Sequence, residues 1–521
     1  MNDKKRLMMG NEAVARGLCE AGCSFVSSYP GTPSTEITEF AAKNVYAEWA
    51  PNEKVAVEAA IGASLAGARA FSGMKHVGLN VAADPLFTAA YTGVNGALVI
   101  AVADDPGCHS SQNEQDSRHY AEAMKLPMLE PSDSQECLDY TKAAFELSER
   151  FDTPVLLRLS TRVSHSRSAV SAGEAIRPTL REYGKNPAKF VMVPAAARVR
   201  HAALEERLAE IGFECETGEL NRVEWGTDRK LGVITSGISY QTAREALGDS
   251  VSYCKLGMVY PLPVEPLREL AATVDEIWVI EELDDFIETH CKKHGIKVRG
   301  KAELSPLGEY TVPQLREAVL GVKTEEPLAF LANNVPPRPP ALCPGCPHLG
   351  TFGVIKKLGL TVMGDIGCYT LGASPPLSAM DMCVCMGASV SSLHGFLKAR
   401  PDWSDRTVAV IGDSTFMHSG LTGLMNIVYN QSPATVMILD NSITGMTGHQ
   451  PNPGTGVTLT GSEVAALDLE TVCRALGVKR VVTADPRDTQ GLEAALKEEL
   501  AAAEPSVVIV RRACALLEGK V

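Results

Sequence analysis

The amino-acid sequence predicts an α/β protein built from several doubly wound sheets, and three observations lead there. Short runs rich in Val, Ile and Leu recur along the whole chain. They alternate with stretches of helical periodicity, the order expected of parallel strands joined by crossover helices. The runs are also nearly continuous in apolar residues, as in strands covered on both faces, rather than alternating apolar with polar.

The strands expected in order are Leu98–Ala103, Pro154–Leu159, Gly232–Thr235, Glu276–Ile280, Thr407–Ile411 and Thr435–Leu439. Between them the pattern breaks twice. After Arg167 it loosens into a polar stretch reaching about Ala196. The proline-rich run Asn333–Ala341 continues neither a helix nor a central strand. The expected domains are therefore 1–175, 190–330 and 335–521, in keeping with about three domains for 521 residues. No internal repeat stands out.

Hydrophobic residues make up 45% and charged residues 21%, an ordinary soluble composition. The net charge of −14 argues against binding to nucleic acid or an anionic membrane, both of which need positive surface. The apolar run Gly96–Ala103 is far short of the ~20 residues that span a bilayer. Met1–Gly10 is followed by no signal-peptide core, so a cytoplasmic protein is expected. In that compartment the 14 cysteines are not a disulfide framework, and metal, cluster or core roles come first. Seven of them fall in residues 335–521.

Two strand ends carry the first chemical signal. Val408–Ile411 leads into Gly412-Asp413-Ser414 and an expected helix from Gly420 to Tyr429, while Thr435–Leu439 ends in Asp440-Asn441-Ser442-Ile443. If these strands are neighbours, Asp413 and Asn441 both reach the crevice where open α/β sheets bind ligands. A carboxylate, an amide oxygen and a nearby carbonyl are the hard donors that Mg²⁺ takes while sharing a diphosphate. Glycines and helix N-termini admit the phosphates to backbone N–H groups. Gly-Asp alone reads as a βα turn with an Asp cap; its pairing with Asp440-Asn441 reverses that reading.

The pairing resembles the GDG–(about 25–30 residues)–N motif of thiamine diphosphate enzymes, departing from it at Ser414. The longer run Asp440-Asn-Ser-Ile-Thr-Gly-Met-Thr-Gly-His-Gln450, followed by Pro451-Asn-Pro-Gly-Thr-Gly456, is similar to the 2-oxoacid:ferredoxin oxidoreductases, and within them to the large subunit of the indolepyruvate-type enzymes. The resemblance implies that Asp413, Asn441 and the Ile443 carbonyl hold Mg²⁺ on the coenzyme diphosphate. Thr447 and Gln450 would line the same crevice, with Gly412, Ser414, Gly367 and His348 beside the cofactor. It implies two thiamine-binding folds, of pyrimidine and diphosphate type, flanking a transketolase C-terminal-like domain.

Thiamine chemistry also needs a carboxylate on the aminopyrimidine ring. In Glu53-Lys-Val-Ala-Val-Glu58-Ala-Ala-Ile-Gly62-Ala-Ser-Leu-Ala66-Gly-Ala-Arg-Ala70, Glu58 is read as opening a helix with Gly62, Ala66 and Ala70 as a small-residue stripe. A surface Glu at a helix start is the plain alternative, and the likeness to the family's segment assigns Glu58 the catalytic role. Ser28-Tyr-Pro-Gly-Thr-Pro-Ser34 looks like the family's substrate loop, with Thr32 touching the 2-oxo acid. In the polar loop Asp104–Arg118, His109 and Arg118 are candidates for the substrate carboxylate, although Arg118 equally serves to fasten the loop through Asp116.

Cys343-Pro-Gly-Cys346-Pro-His348 presents two thiolates on one turn, which suits zinc, an iron–sulfur cluster or redox exchange. Cys368 sits on a Gly-rich turn and Cys514 follows a strand. By resemblance, Cys343, Cys346, Cys368 and Cys514 hold one [4Fe–4S] cluster. A Cys₄ zinc site or buried thiols are the competitors, and zinc offers the electrons no exit. Cys383 and Cys385 read as core, as do Cys19, Cys23 and Cys473. The run Glu281–Asp285 reads as a solvated face.

The expected activity is oxidative decarboxylation of an aryl 2-oxo acid to its acyl-CoA, with electrons passing to ferredoxin. The expected partners are a smaller second subunit, ferredoxin and coenzyme A, in a homodimer or heterotetramer. The family's appended ferredoxin-like domain is not expected after Cys514. A non-oxidative decarboxylase or carboligase, and a non-catalytic assembly subunit, are the alternatives.

Overall fold

The computed structural model describes residues 5–323, 335–336 and 338–517. Residues 1–4, and 333, 334 and 337 of the proline-rich run, lie outside the described residues. The chain divides into two compact units, Met1–Val335 and Pro336–Val521.

The first unit is organised by a seven-stranded sheet in the order Met258–Tyr260, Met128–Leu129, Val155–Ser160, Leu98–Asp104, Ala70–Lys75, Phe25–Ser28, Ala47–Trp49. Every neighbouring pair is parallel except the first. All seven residues of Leu98–Asp104 are buried, which is why this run reads as continuously apolar. The chain leaves Phe25–Ser28 toward Ala47–Trp49 on one side and leaves its neighbour Ala70–Lys75 toward Leu98–Asp104 on the other. The gap between those two strand tips is a topological switch point, the usual place for a ligand.

Residues 222–280 add a four-stranded sheet in the order Glu276–Ile280, Leu231–Ser236, Ser252–Leu256, Arg222–Glu224, parallel apart from the last pair. It is stitched to the larger sheet. Met258–Tyr260 pairs antiparallel with Met128–Leu129, and Ile234, Leu256 and Val279 share a core with Ile100, Met128 and Leu156.

The second unit holds a five-stranded, all-parallel sheet in the order Thr361–Met363, Thr407–Gly412, Thr435–Asp440, Ser506–Arg511, Arg480–Ala484. Ala409, Ile411, Val436 and Ile438 enter one core, while Val408, Val410, Met437 and Leu439 enter another. Side chains alternate across a strand, so a sheet covered on both faces needs apolar residues at every position. The helix expected from Gly420 begins earlier, at Asp413. An α turn Asp413–Thr415 and a wide π turn Phe416–Gly420 precede Leu421–Tyr429. Such π turns inside helices gather at functional sites.

Candidate active site

In the second unit, Thr407–Gly412 and Thr435–Asp440 are adjacent and parallel, with Gly412 level with Leu439. Their tips therefore deliver Asp413 and Asn441 side by side, both buried. A crevice of about 240 Å³ opens there, lined by Asp413, Asp440, Ser442, Gly454, Asp468 and Arg511 among others. Burial, and then the charge of Asp440, push the Asp413 carboxyl up to about 7. It accepts a long hydrogen bond from the Asn452 amide at 3.4 Å. Asp440 is neutralised by Arg511 at 2.7 Å. A buried acid beside a second acid is poised for a cation, so the donor set fits Mg²⁺.

The chain then turns sharply, with Ser442 at φ 59°, and the Ile443 N–H donates back to the Asn441 side-chain oxygen at 3.3 Å. Ser414 accepts a bond from the Thr444 hydroxyl at 2.9 Å, which ties the two strand ends together. Thr447 and Gln450 bond to each other and close a loop across Thr444 and Gln450. The glycines have a steric reason. A Cβ at Gly412 or Gly367 would lie 2.7 or 2.3 Å from the Tyr369 ring. That ring is anchored by its hydroxyl donating to the Ile366 carbonyl at 2.9 Å. His348 is buried edge-on to it, and burial lowers its pKa to about 4, so the imidazole is neutral. Asp365, absent from the sequence expectations, accepts the backbone N–H groups of Ile366, Gly387 and Ser389 and holds the Gly364–Cys368 turn.

Four thiols gather beside this crevice. The Cys346 N–H donates to the Cys343 carbonyl, and a Cβ at Gly345 would touch Ala515. The Cys514 N–H donates to the carbonyl of Asn441 at 3.0 Å, joining the thiol group to the tip of the strand Thr435–Asp440. Burial, then the proximity of Cys346, Cys514 and Cys343, raise the Cys368 thiol to about 11. Thiols brought together at one place are a donor set suited to a positive centre that takes them as thiolates. Cys383 and Cys385 do not belong to the core as expected: both are exposed, on the segment before helix Ala388–Ala399. Cys19, Cys23 and Cys473 are buried.

In the first unit the helix carrying Glu58 spans Glu53–Leu65 and is capped by Asn52. Glu58 does not open it. It lies in the second turn, exposed and paired with Lys54 at 2.7 Å. The expected stripe Gly62 and Ala66 lies on the same exposed face, and Ala70 belongs to the next strand. The helix buries Glu53, Ala56, Val57, Ala60 and Ser64 instead. Five residues at about 100° each put Glu53 and Glu58 about 140° apart. Glu53 is 5% exposed and packs against Gly78, where a Cβ would lie 2.6 Å from its Oε1. Gly78 is in the first turn of the helix that leaves the tip of Ala70–Lys75, so Glu53 is the acid turned toward the switch point.

Thr32 is half-buried in the loop after Phe25–Ser28. Beside it lies a residue the sequence did not single out. Lys75 ends the neighbouring strand, buried to 7% exposure, and its ammonium donates to the carbonyl of Ser110. His109 is half-exposed and paired with Glu309 at 3.3 Å. Arg118 is not available to a substrate. It is fully buried, bonded to Asp116, to Glu281 and to the carbonyls of Glu282 and Asp284. It fastens the loop, the second of its two expected roles. Glu281 and Glu282 are accordingly buried, and only Asp284 and Asp285 of that run face solvent. A signal was present in the sequence, since two acids directly after an apolar strand follow it into the interior.

Comparisons with known proteins bear on the family and the fold. Residues 16–205 match the family model for pyruvate flavodoxin/ferredoxin oxidoreductase, thiamine diphosphate-binding. Residues 365–510 match that for the C-terminal TPP-binding domain of thiamine pyrophosphate enzymes. A protein of Archaeoglobus fulgidus named indolepyruvate oxidoreductase subunit IorA is 41% identical over 99% of this chain and 89% of its own length. One of the same name from Methanothermobacter marburgensis is 42% identical over 99% and 87%. The solved 2-oxoglutarate:ferredoxin oxidoreductase of Magnetococcus marinus shares the fold, with a TM-score of 0.52 at 18% identity over 61% of this chain and 65% of that one. Fold, strand-tip site and comparisons define a thiamine diphosphate-dependent 2-oxoacid:ferredoxin oxidoreductase chain. Within that class, the chain belongs to the indolepyruvate oxidoreductase subunit IorA family. No helix among the described residues is long and apolar enough to cross a membrane.

Proposed function

We propose that the chain oxidatively decarboxylates an aryl 2-oxo acid of the indolepyruvate kind to its acyl-CoA, releasing CO₂ and passing two electrons through a [4Fe–4S] cluster to ferredoxin. The observation that carries the redox part is the gathering of Cys343, Cys346, Cys368 and Cys514, joined through the Cys514–Asn441 bond to the strand tip that bears the magnesium donors. No three of these sulfurs lie within 4.8 Å of one another. Zinc has no redox function and would leave the electrons of the reaction without an exit, whereas an iron–sulfur cluster carries them. Thiamine diphosphate, when bound, supplies the nucleophilic carbon and the electron sink for CO₂ loss.

The chain's own residues do the rest. Asp413, Asn441 and the Ile443 carbonyl hold Mg²⁺ on the diphosphate. Ser414 keeps the two strand ends in register, and Thr447 and Gln450 close the loop over them. Glu53, rather than Glu58, is the carboxylate suited to hold a proton on the aminopyrimidine. It is buried, whereas Glu58 is turned to solvent and tied to Lys54. Thr32 meets the substrate. A smaller second subunit, coenzyme A and ferredoxin complete the reaction, in a homodimer or heterotetramer.

The test is anoxic purification with whatever partner co-purifies, followed by iron and sulfide analysis and a panel of aryl and aliphatic 2-oxo acids with ferredoxin or a viologen dye. About four irons per site and CoA-dependent dye reduction with aryl substrates are expected. Glu53→Gln should cost at least 100-fold in kcat, as a general acid–base group does, and Glu58→Gln less than threefold. Decarboxylation without iron and without dye reduction would instead establish a non-oxidative enzyme.

A further inference from the structure

With Arg118 committed to internal carboxylates, the substrate's carboxylate still needs a cation in the first unit. Lys75 occupies the last position of Ala70–Lys75, on one side of the switch point whose other side is the Thr32 loop. The two elements touch: a Cβ on Gly31 would lie 3.1 Å from the Lys75 Cβ. Both also lean on one residue, since Ser110 Oγ lies 3.5 Å from Lys75 Nζ and 3.5 Å from the Thr32 carbonyl.

The ammonium's partners are the carbonyl and hydroxyl of Ser110. Among the described residues no carboxylate comes within 4.0 Å of it. The titratable groups that face it are Asp105 and Cys108, both on the loop after Leu98–Asp104. Asp105 is already engaged by the Ser110 N–H at 2.8 Å, by the Ser111 hydroxyl and by the Thr161 hydroxyl at 2.6 Å. Buried lysines without an anionic partner are rare, because desolvating an ammonium is costly unless a negative charge meets it. Burial lowers its pKa to about 8 even with Asp105 nearby.

We propose that Lys75 is the counter-ion for the carboxylate of the 2-oxo acid, gripping it between the Thr32 hydroxyl and the Ser110 loop at the strand switch. The inference rests on the reading of the chain as a 2-oxo acid oxidoreductase and deepens it by naming the residue that selects acids over aldehydes, amides and esters.

The experiment compares wild type, Lys75→Met and Lys75→Arg in the purified complex. Loss of a charge-assisted bond raises KM for the 2-oxo acid about 30-fold in Lys75→Met while kcat stays within about threefold. Lys75→Arg restores KM to within about fivefold. A second readout needs no turnover: the inhibition constants of an aryl 2-hydroxy acid and of its amide differ about 30-fold in wild type and become equal in Lys75→Met. The wild-type kcat/KM falls tenfold per pH unit above about 8 as the ammonium loses its proton, while Lys75→Arg stays level. Affinity for thiamine diphosphate with Mg²⁺ is the same in all three. An unchanged KM and acid–amide ratio in a folded Lys75→Met protein overturns the inference while leaving the oxidoreductase reading intact. If no 2-oxo acid is oxidised by wild type, that reading falls first. Should Lys75→Met not fold, the wild-type and Lys75→Arg pH profiles decide.

Discussion

Replacing Arg118 with Met separates its two possible roles cleanly. The guanidinium closes bonds to Asp116 at 2.9 and 3.1 Å through Nε, to Glu281 through Nη1, and to the carbonyls of Glu282 and Asp284 at 3.1 and 3.2 Å. Its removal leaves two carboxylates inside the unit. Neither is wholly abandoned: Asp116 keeps Arg158 at 3.6 Å, and Glu281 keeps the N–H groups of Ile287 and Glu288 at 2.9 and 3.0 Å. Breaking a buried pair costs about 3–5 kcal/mol, and these residual partners place the loss near the lower end, about 3 kcal/mol. Burial already holds the Glu281 carboxyl above its usual range, with Arg118 opposing it. Without Arg118 its folded pKa climbs further above the unfolded one. A raised carboxylate pKa favours folding at low pH and loses that benefit as pH rises through the folded value. The Glu281 share of the deficit therefore grows as pH rises, while the share from Asp116, which Arg118 holds below the usual carboxylate range, is already present at pH 5, and adding Glu281→Gln recovers part of the deficit. Urea unfolding followed by fluorescence reads this directly, because Trp278 is fully buried on the strand leading into Glu281. An unchanged urea midpoint together with a raised KM for the 2-oxo acid would refute the clasp and return Arg118 to the substrate.

Two further outcomes follow from the same geometry. Cys368→Ala should strip most of the iron from anoxically purified protein, whereas Cys383→Ala or Cys385→Ala should leave iron content unchanged, as read by colorimetric iron and sulfide assay. Burial raises Glu282 from 4.5 to about 7, so ionising it opposes folding by up to about 3 kcal/mol above pH 7. Glu282→Gln should raise the unfolding midpoint at pH 8 and match wild type near pH 4, and equal midpoints at both pH values would contradict this.

The strands were legible because burial on both faces leaves a direct mark on composition. Val408 and Val410 serve one core and Ala409 and Ile411 the other, so the run can hold no polar residue until it reaches Asp413 at its tip. The site at that tip was legible for the same reason, since a polar residue ending such a run faces the crevice. The stitching of residues 222–280 onto the first sheet was not legible. It depends on the short antiparallel pair Met258–Tyr260 with Met128–Leu129, and on buried acids whose partner, Arg118, stands over 160 residues away.

The choice between Glu53 and Glu58 exposes a limit of local pattern. Both acids lie on one helix, and both neighbour small residues. The stripe Gly62–Ala66 looked like a close-packing face, yet small residues at i, i+4 mark close approach only when something approaches, and among the described residues nothing beyond its own helix backbone lies within 4 Å of where a Cβ on Gly62 would stand. The informative glycine was Gly78, on a different helix, whose missing side chain makes room for the Glu53 carboxylate. The same reasoning explains Lys75 and Arg118. A charged residue in sequence shows only that a charge exists. Whether it is available to a ligand depends on the opposite charges the fold brings to it: Arg118 meets two carboxylates and is consumed, while Lys75 meets a carbonyl and a hydroxyl and keeps its charge for an anion.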